Sequence, residues 1–243
     1  MSYVLIIGAT SDMAKATARE YAKNGYDIYL AGRNSSELKD VVTDVQVRAD
    51  RTVKAVELDI LNFDQHQVFY DALEEKPLGA ISFIGYLGDQ KQAEENFKDA
   101  HKIINTNYTG LVSLLETIAA DFEKRKSGFI VGVSSVAGDR GRKSNYLYGS
   151  AKAGFTAYLS GLRNRLFSSN VHVMTVKPGF VHTKMTESME LPEKLTAQPE
   201  DVAKDIYSAQ QKGKNTIYTA WFWRYIMLII KLIPEFLFKK MSL

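Results

Sequence analysis

The 243-residue chain predicts an α/β fold: a doubly wound parallel sheet with helices on both faces, ending in a short amphipathic helical tail. Three observations predict it. Short, almost wholly apolar runs read as strands buried on both faces, as in a parallel sheet. These runs alternate with stretches whose apolar residues recur at helical spacing. Several of them end in glycine or small polar residues, on the edge where such a sheet binds ligands.

Tyr3-Val4-Leu5-Ile6-Ile7 is the first strand. The turn Gly8-Ala9-Thr10-Ser11-Asp12-Met13-Ala14 follows, then a helical pattern (Ala14, Ala18, Tyr21, Ala22) closed by Asn24-Gly25. A strand, a small-residue turn and a helix lay a pyrophosphate on a helix N-terminus. Gly8 permits the tight turn, and Ala14 permits close packing of helix on strand. Gly8, Thr10, Ser11, Asp12 and Met13 are therefore candidate phosphate-binding residues. A plain βα turn with a Ser or Asp cap is the competing explanation.

The second strand, Asp27-Ile28-Tyr29-Leu30-Ala31, ends in Gly32-Arg33-Asn34. An acidic residue here would bind a ribose 2′-hydroxyl. Glycine followed by arginine leaves room for a 2′-phosphate and attracts it, so Arg33 favours NADP(H) over NAD(H). A helix over 35–49 leads to strand Val53-Lys54-Ala55-Val56-Glu57-Leu58, with Asp59 and Ile60 at its end as adenine contacts. A helix over 63–75 leads to strand Ala80-Ile81-Ser82-Phe83-Ile84. Gly85-Tyr86-Leu87-Gly88 closes it, and Gly85 and Tyr86 join the candidate cofactor contacts. Right-handed crossovers set these strand ends on one edge. A long helix over 96–124 carries Asn107-Tyr108-Thr109-Gly110.

The next strand, Phe129-Ile130-Val131-Gly132-Val133, runs into Ser134-Ser135. Tyr148 stands thirteen residues after Ser135, and Lys152 four after that. On a helix starting near Asn145, Tyr148 and Lys152 share a face one turn apart. A tyrosine hydroxyl titrates near ~10, and a nearby ammonium pulls it down towards the working range. Ser135 could then hold a carbonyl oxygen while Tyr148 protonates it. Composition alone supplies about one Tyr-x-x-x-Lys pair by chance, on what would be an ordinary surface helix, so context has to discriminate. That context closes with strand Val171-His172-Val173-Met174-Thr175-Val176 and its ending, Lys177-Pro178-Gly179-Phe180-Val181-His182-Thr183.

Taken in order, the glycine turn, Asn107-x-x-Gly110, Ser135, Tyr148-x-x-x-Lys152 and Pro178-Gly179-x-Val181-x-Thr183 resemble the short-chain dehydrogenase/reductases over residues 3–217. The resemblance implies a Rossmann-type NAD(P)-binding domain over 1–217 and an oxidoreductase that reduces a ketone to a secondary alcohol, commonly as a homo-oligomer. It implies four active-site residues. Tyr148 is the general acid/base. Lys152 lowers its pKa and hydrogen-bonds the nicotinamide ribose. Ser135 polarises the substrate carbonyl. Asn107 interrupts its helix and positions a water linking Lys152 to solvent. Pro178, Gly179, Val181 and Thr183 would line the nicotinamide half of the site, and the Gly85 turn the adenosine half. Residues 183–199, with Met185, Met189 and Leu191, would form a mobile substrate lid.

Two departures stand out. Asp12 and Ala14 replace the second and third glycines of the family's turn, and a carboxylate at Asp12 disfavours a pyrophosphate unless it caps the helix and turns away. Gly85-Tyr86-Leu87-Gly88 stands for the usual Asn-Asn-Ala-Gly. With the segment from Ser135 to Tyr148, these features resemble the branch that reduces decaprenylphosphoryl-2-keto-pentose (erythro-pentofuranosid-2-ulose), a lipid-linked keto-sugar. A lipid, steroid or 3-oxoacyl ketone is the alternative substrate. A non-catalytic NADP-binding sensor or scaffold would be expected to lack Tyr148 or Lys152. A sugar epimerase would need an added substrate domain.

Residues 218–243 form the tail. Within 221–240, Arg224, Lys231 and Glu235 fall within ~40° of one another on a helical wheel, opposite a wide apolar face, with Pro234 as a kink or break. The uncharged stretch 225–230 is far short of the ~20 residues of a membrane span. A helix lying on a membrane surface and a face buried against protein both fit. The net charge of +3, without basic residues threaded through aromatics, speaks against nucleic acid. The chain has no cysteine, so disulfides and thiol chemistry are excluded. His66, His101, His172 and His182 lack metal-ligand spacing, and no metal is expected. The start lacks the pattern of a secretory signal. A cytoplasmic location is expected, peripheral on the inner membrane face if the tail meets lipid.

Overall fold

The computed structural model describes residues 2–187 and 189–241; residue 188 of the expected lid and the last two residues of the expected tail lie outside them. Seven parallel strands form the central sheet: β1 (Tyr3–Ile7), β2 (Asp27–Gly32), β3 (Val53–Glu57), β4 (Gly79–Ser82), β5 (Gly128–Val133), β6 (Val171–Pro178) and, last in sequence, β9 (Thr216–Thr219). Their order is β3-β2-β1-β4-β5-β6-β9. The direction of winding reverses between β1 and β4, which opens a crevice at the carboxyl ends of the strands.

The helices are α1 (Asp12–Lys23), α2 (Lys39–Ala49), α3 (His66–Asp71), α4 (Gln90–Glu95), α5 (Phe97–Ile104), α6 (Gly110–Arg125), α7 (Tyr146–Leu166), α8 (Pro199–Gln211), α9 (Trp223–Leu232) and α10 (Glu235–Phe238). A ribbon of β7 (Phe180–Val181) and β8 (Thr196–Ala197) brackets the segment expected to be a lid. Alternation along β1 explains why every residue in it is apolar. Val4 and Ile6 pack towards α1 and α8, whereas Leu5 and Ile7 pack towards α6 and α7.

Several predicted helices are shorter or interrupted. The 35–49 helix begins as a 3-10 turn, where Asn34 Oδ1 accepts from the Ser36 amide at 3.1 Å. The 63–75 helix stops at Asp71, because Lys76 Nζ caps the Tyr70 and Asp71 carbonyls. The 96–124 helix starts after an extended Asn96, which caps α5, and contains a π-helical turn at Asn105–Thr109. The sheet's edge strand β9 crosses the expected 217/218 division.

The tail is two helices, not one. Ile233 is extended (ψ 122°) and Pro234 precedes α10, so Glu235 leaves the face it was expected to share with Arg224 and Lys231. Glu235 instead pairs with Arg140 at 2.9 Å. The same guanidinium donates to the Ile230 and Ile233 carbonyls and lies 3.6 Å from the centre of the Phe238 ring. Trp223 and Met227 are buried against Val136, Phe180, Leu195 and Tyr218. A second stripe, including Trp221, Tyr225, Leu228, Ile229 and Leu232, stays exposed, with Phe236 and Leu237 beside it. Among the described residues no helix is long and apolar enough to cross a membrane.

Candidate active site

Gly8 makes the crevice usable. Its φ of +81° is a left-handed conformation, and a Cβ there would stand 3.1 Å from the Ile84 nitrogen and the Phe83 carbonyl carbon. The ends of β1 and β4 therefore meet, and a cleft of about 480 Å³ opens above them. Gly8, Thr10, Ser11, Asp12 and Met13 line one wall. Gly32 and Arg33 line the end of β2, where Arg33 is exposed and has no ion-pair partner among the described residues. Asp59 and Ile60 line the end of β3, with Asp59 Oδ1 accepting from the Leu61 amide. Gly110 lets α6 close on this wall: a Cβ there would lie 2.4 Å from the Ile60 carbonyl oxygen.

Gly85, Tyr86, Tyr148, Lys152 and Thr183 line the other half. The two glycines of the 85–88 segment do different jobs. A Cβ on Gly85 would lie within 4 Å of Met185 Cε, Asn107 Oδ1 and Lys152 Nζ. Gly88, with φ +66°, faces Ile103 on α5 instead. The cleft glycine is thus the first of the pair, not the last.

Asn107 is fully buried in the π turn. Its Oδ1 accepts from the Tyr86 amide, and its Nδ2 donates to the Tyr86 and Ile103 carbonyls. A π-helical turn of this kind is common at functional sites. Ser134 holds α7 in place: its hydroxyl donates to the Lys152 carbonyl and pairs with Thr156. Glycines at 138 and 149 let the chain after Ser135 lie against α7, since a Cβ on Gly138 would be 2.7 Å from the Ala153 nitrogen. Asp139 bonds Lys177 and the Tyr218 hydroxyl, fastening that stretch to β6 and β9.

Tyr148 and Lys152 sit one turn apart on α7, with the ammonium 5.8 Å from the centre of the Tyr148 ring. The electrostatics differ from the expected lowering of the tyrosine. Burial pushes the Tyr148 hydroxyl up to about 12, and a hydrogen bond with Ser135 only partly opposes this. Lys152 supplies no compensating pull. It is 2% exposed, burial holds it down to about 7, and its Nζ donates to the Ile84 and Val133 carbonyls.

Three expected nicotinamide contacts fall outside the cleft lining. Gly179 supports the tail: a Cβ there would overlap the Trp223 ring at 2.0 Å. Pro178 ends β6 beside β9, and Val181 is buried in the small ribbon. Sequence reasoning missed Lys102 and Thr106, which line the cleft from positions one turn apart and just before Asn107. The four-residue spacing between the two, on the turn just before Asn107, is the signal that could have found them. Among the described residues no cluster of His, Cys, Asp or Glu could hold a metal ion.

A dinucleotide fits this cleft: the Gly8 cradle admits a phosphate backbone, and the end of β2 offers a cation in place of a carboxylate. Such a site suits an oxidoreductase working between CH–OH and C=O with a nicotinamide cofactor. A model of the short chain dehydrogenase family matches residues 2–194. An uncharacterized oxidoreductase of Mycobacterium tuberculosis is 36% identical over 241 residues, covering 98% of this chain and 96% of that protein. An NADP-dependent 3-hydroxy acid dehydrogenase of Schizosaccharomyces pombe is 25% identical over 229 residues, covering 88% of each. A solved short-chain dehydrogenase from Sphingobium yanoikuyae in complex with NADPH has the same fold, with a TM-score of 0.82 at 19% identity over 97% of each chain. The chain belongs to the short-chain dehydrogenase family and is an oxidoreductase.

Proposed function

We propose that the enzyme uses NADPH in preference to NADH to reduce a ketone to a secondary alcohol. The observation that carries this reading is the Tyr148 hydroxyl, protonated at neutral pH, hydrogen-bonded to Ser135 and lining the cleft beside Lys152. When bound, the cofactor supplies the hydride. Tyr148 and Ser135 then face the oxygen on which negative charge grows, and both can donate to it. A donor of high pKa still gives its proton to an alkoxide, which is a stronger base than a phenolate. Lys152, with a pKa near neutrality, is suited to resupply that proton. Gly85 leaves open space between Asn107 Oδ1 and Lys152 Nζ, and a water held there would link the lysine to solvent.

Arg33 supports the cofactor preference, because a 2′-phosphate would pair a guanidinium that has no ion-pair partner among the described residues. Titration with NADPH and NADH, read by nicotinamide fluorescence, tests it. NADPH should bind about 10–100-fold more tightly, and Arg33→Ala should remove most of that margin. Equal binding of the two cofactors by the unmodified enzyme would end the NADP assignment.

For the substrate we favour a polyprenyl-phosphate-linked keto-sugar, on the resemblance carried by the glycine turn, the 85–89 stretch and the 135–148 segment. The exposed stripe on α9 and α10 supports a peripheral place on a membrane. It is rimmed by Arg224, Lys231, Lys239 and Lys240, while Glu235 is neutralised by Arg140. Flotation with anionic vesicles checks this. The enzyme should float with them, and an Ile229→Asp/Leu232→Asp double variant should not. A protein that stays in solution and sediments as a dimer through this face would refute the membrane reading. A 3-oxoacid or 3-oxoacyl substrate is the second reading, favoured by the name of the fission-yeast relative. Turnover on the two ketone classes side by side separates them.

A further inference from the structure

We infer that Asp12 is a positioning residue: its carboxylate ties residues 183–187, on the substrate side of the cleft, to the phosphate turn. Asp12 Oδ2 accepts a hydrogen bond from the Lys184 backbone N–H at 2.9 Å, across 172 positions of sequence. Asp12 Oδ1 lies 3.5 Å from Lys15 Nζ, which balances its charge. The side chain does not cap α1; that helix starts after Ser11 without a side-chain cap. The carboxylate therefore points off the phosphate turn and across the mouth of the cleft, which both Asp12 and Lys184 line.

The tie matters because of what else holds the segment. The other hydrogen bonds of residues 183–187 among the described residues stay within 181–189: Thr186 Oγ1 donates to the Val181 carbonyl, and the Thr186 amide to the Thr183 carbonyl. A local coil of this kind keeps its own shape but not its place. Its neighbour in the same segment, Met185, brings Cε to 3.4 Å from where a Gly85 Cβ would stand, over the Asn107–Lys152 gap. The Asp12 bond thus sets how far Met185 reaches over the reacting end. Glycine at position 12 would offer no such acceptor. This rests on the reading that the cleft holds a nicotinamide cofactor, which would then leave only when the tie opens.

The test compares Asp12→Ala, Asp12→Asn and Lys184→Pro, the last of which removes the donor N–H. Amide hydrogen exchange over 182–187 is measured in the cofactor-free protein, and NADPH release by stopped-flow fluorescence. Asp12→Ala and Lys184→Pro should each speed exchange and NADPH release about tenfold, the loss of one charge-assisted bond. The double variant Asp12→Ala/Lys184→Pro should be no faster than either alone. Asp12→Asn keeps a side-chain oxygen acceptor and should stay within about threefold of the unmodified enzyme. Unchanged exchange in Asp12→Ala overturns the tie. So does an Asp12→Asn variant that behaves as Asp12→Ala does, since charge alone would then be responsible. If exchange responds as expected while the unmodified enzyme binds no NADPH, the tie stands and the cofactor reading falls.

Discussion

Replacing Tyr148 with phenylalanine is expected to lower kcat for ketone reduction by about 10²–10⁴-fold, the usual contribution of a positioned acid, while NADPH still binds. The ring packs against the cluster of Ala93, Ala100 and Ile103, and phenylalanine keeps that packing. Only the hydroxyl is lost, and with it the proton it would donate. Ser135 remains as one donor to the developing oxyanion, so a residual rate should survive. Steady-state rates paired with NADPH titration separate the outcomes. A variant that keeps a tenth or more of the original kcat would remove Tyr148 from the chemistry. Loss of NADPH binding in parallel would assign the tyrosine to holding the cofactor.

The second large effect concerns Lys152 and stability. Burial lowers its pKa to about 7 in the folded protein, against ~10.4 in an unfolded chain. Between those values the unfolded chain binds a proton that the folded one lacks, so folding stability rises with pH. Lys152's contribution is complete above the unfolded value and is lost as the pH falls through about 7. From pH 7 to pH 9 the gain is about 2 kcal/mol for this one group. Lys152→Met cannot show that gain. The variant orphans the Ile84 and Val133 carbonyls, which shifts its stability at both pH values alike. Urea unfolding at pH 7 and pH 9 is the measurement. The stability of the unmodified protein should gain about 2 kcal/mol on that of the variant over this interval. Parallel behaviour of the two would mean that the ammonium is not desolvated as the structure has it.

Much of the sheet was legible because its signals are local. An apolar run such as Tyr3–Ile7 can satisfy two cores only from the middle of a parallel sheet, and alternation of runs and helical patterns orders the crossovers. The four-residue spacing that puts Tyr148 above Lys152 is equally local, since it follows from helix geometry once α7 begins at Tyr146. Helix ends were less legible. The stop after Asp71 depends on the Lys76 ammonium reaching back to two carbonyls, and periodicity does not encode that.

By itself the sequence determined which residue types meet the carboxyl edge of the sheet: the small turn after β1, the glycine–arginine pair after β2, and the Ser135, Tyr148 and Lys152 series. Each depends on a few neighbouring positions and on the geometry of one element. Tertiary structure decided what those side chains face. It set Gly88 against Ile103, turned Gly179 against Trp223, and gave the Asp12 carboxylate to an amide 172 positions away. It also set the burial that raises the pKa of Tyr148 and lowers that of Lys152. A pKa depends on how much water and charge surround a group from every side, and only the folded chain brings those sides together.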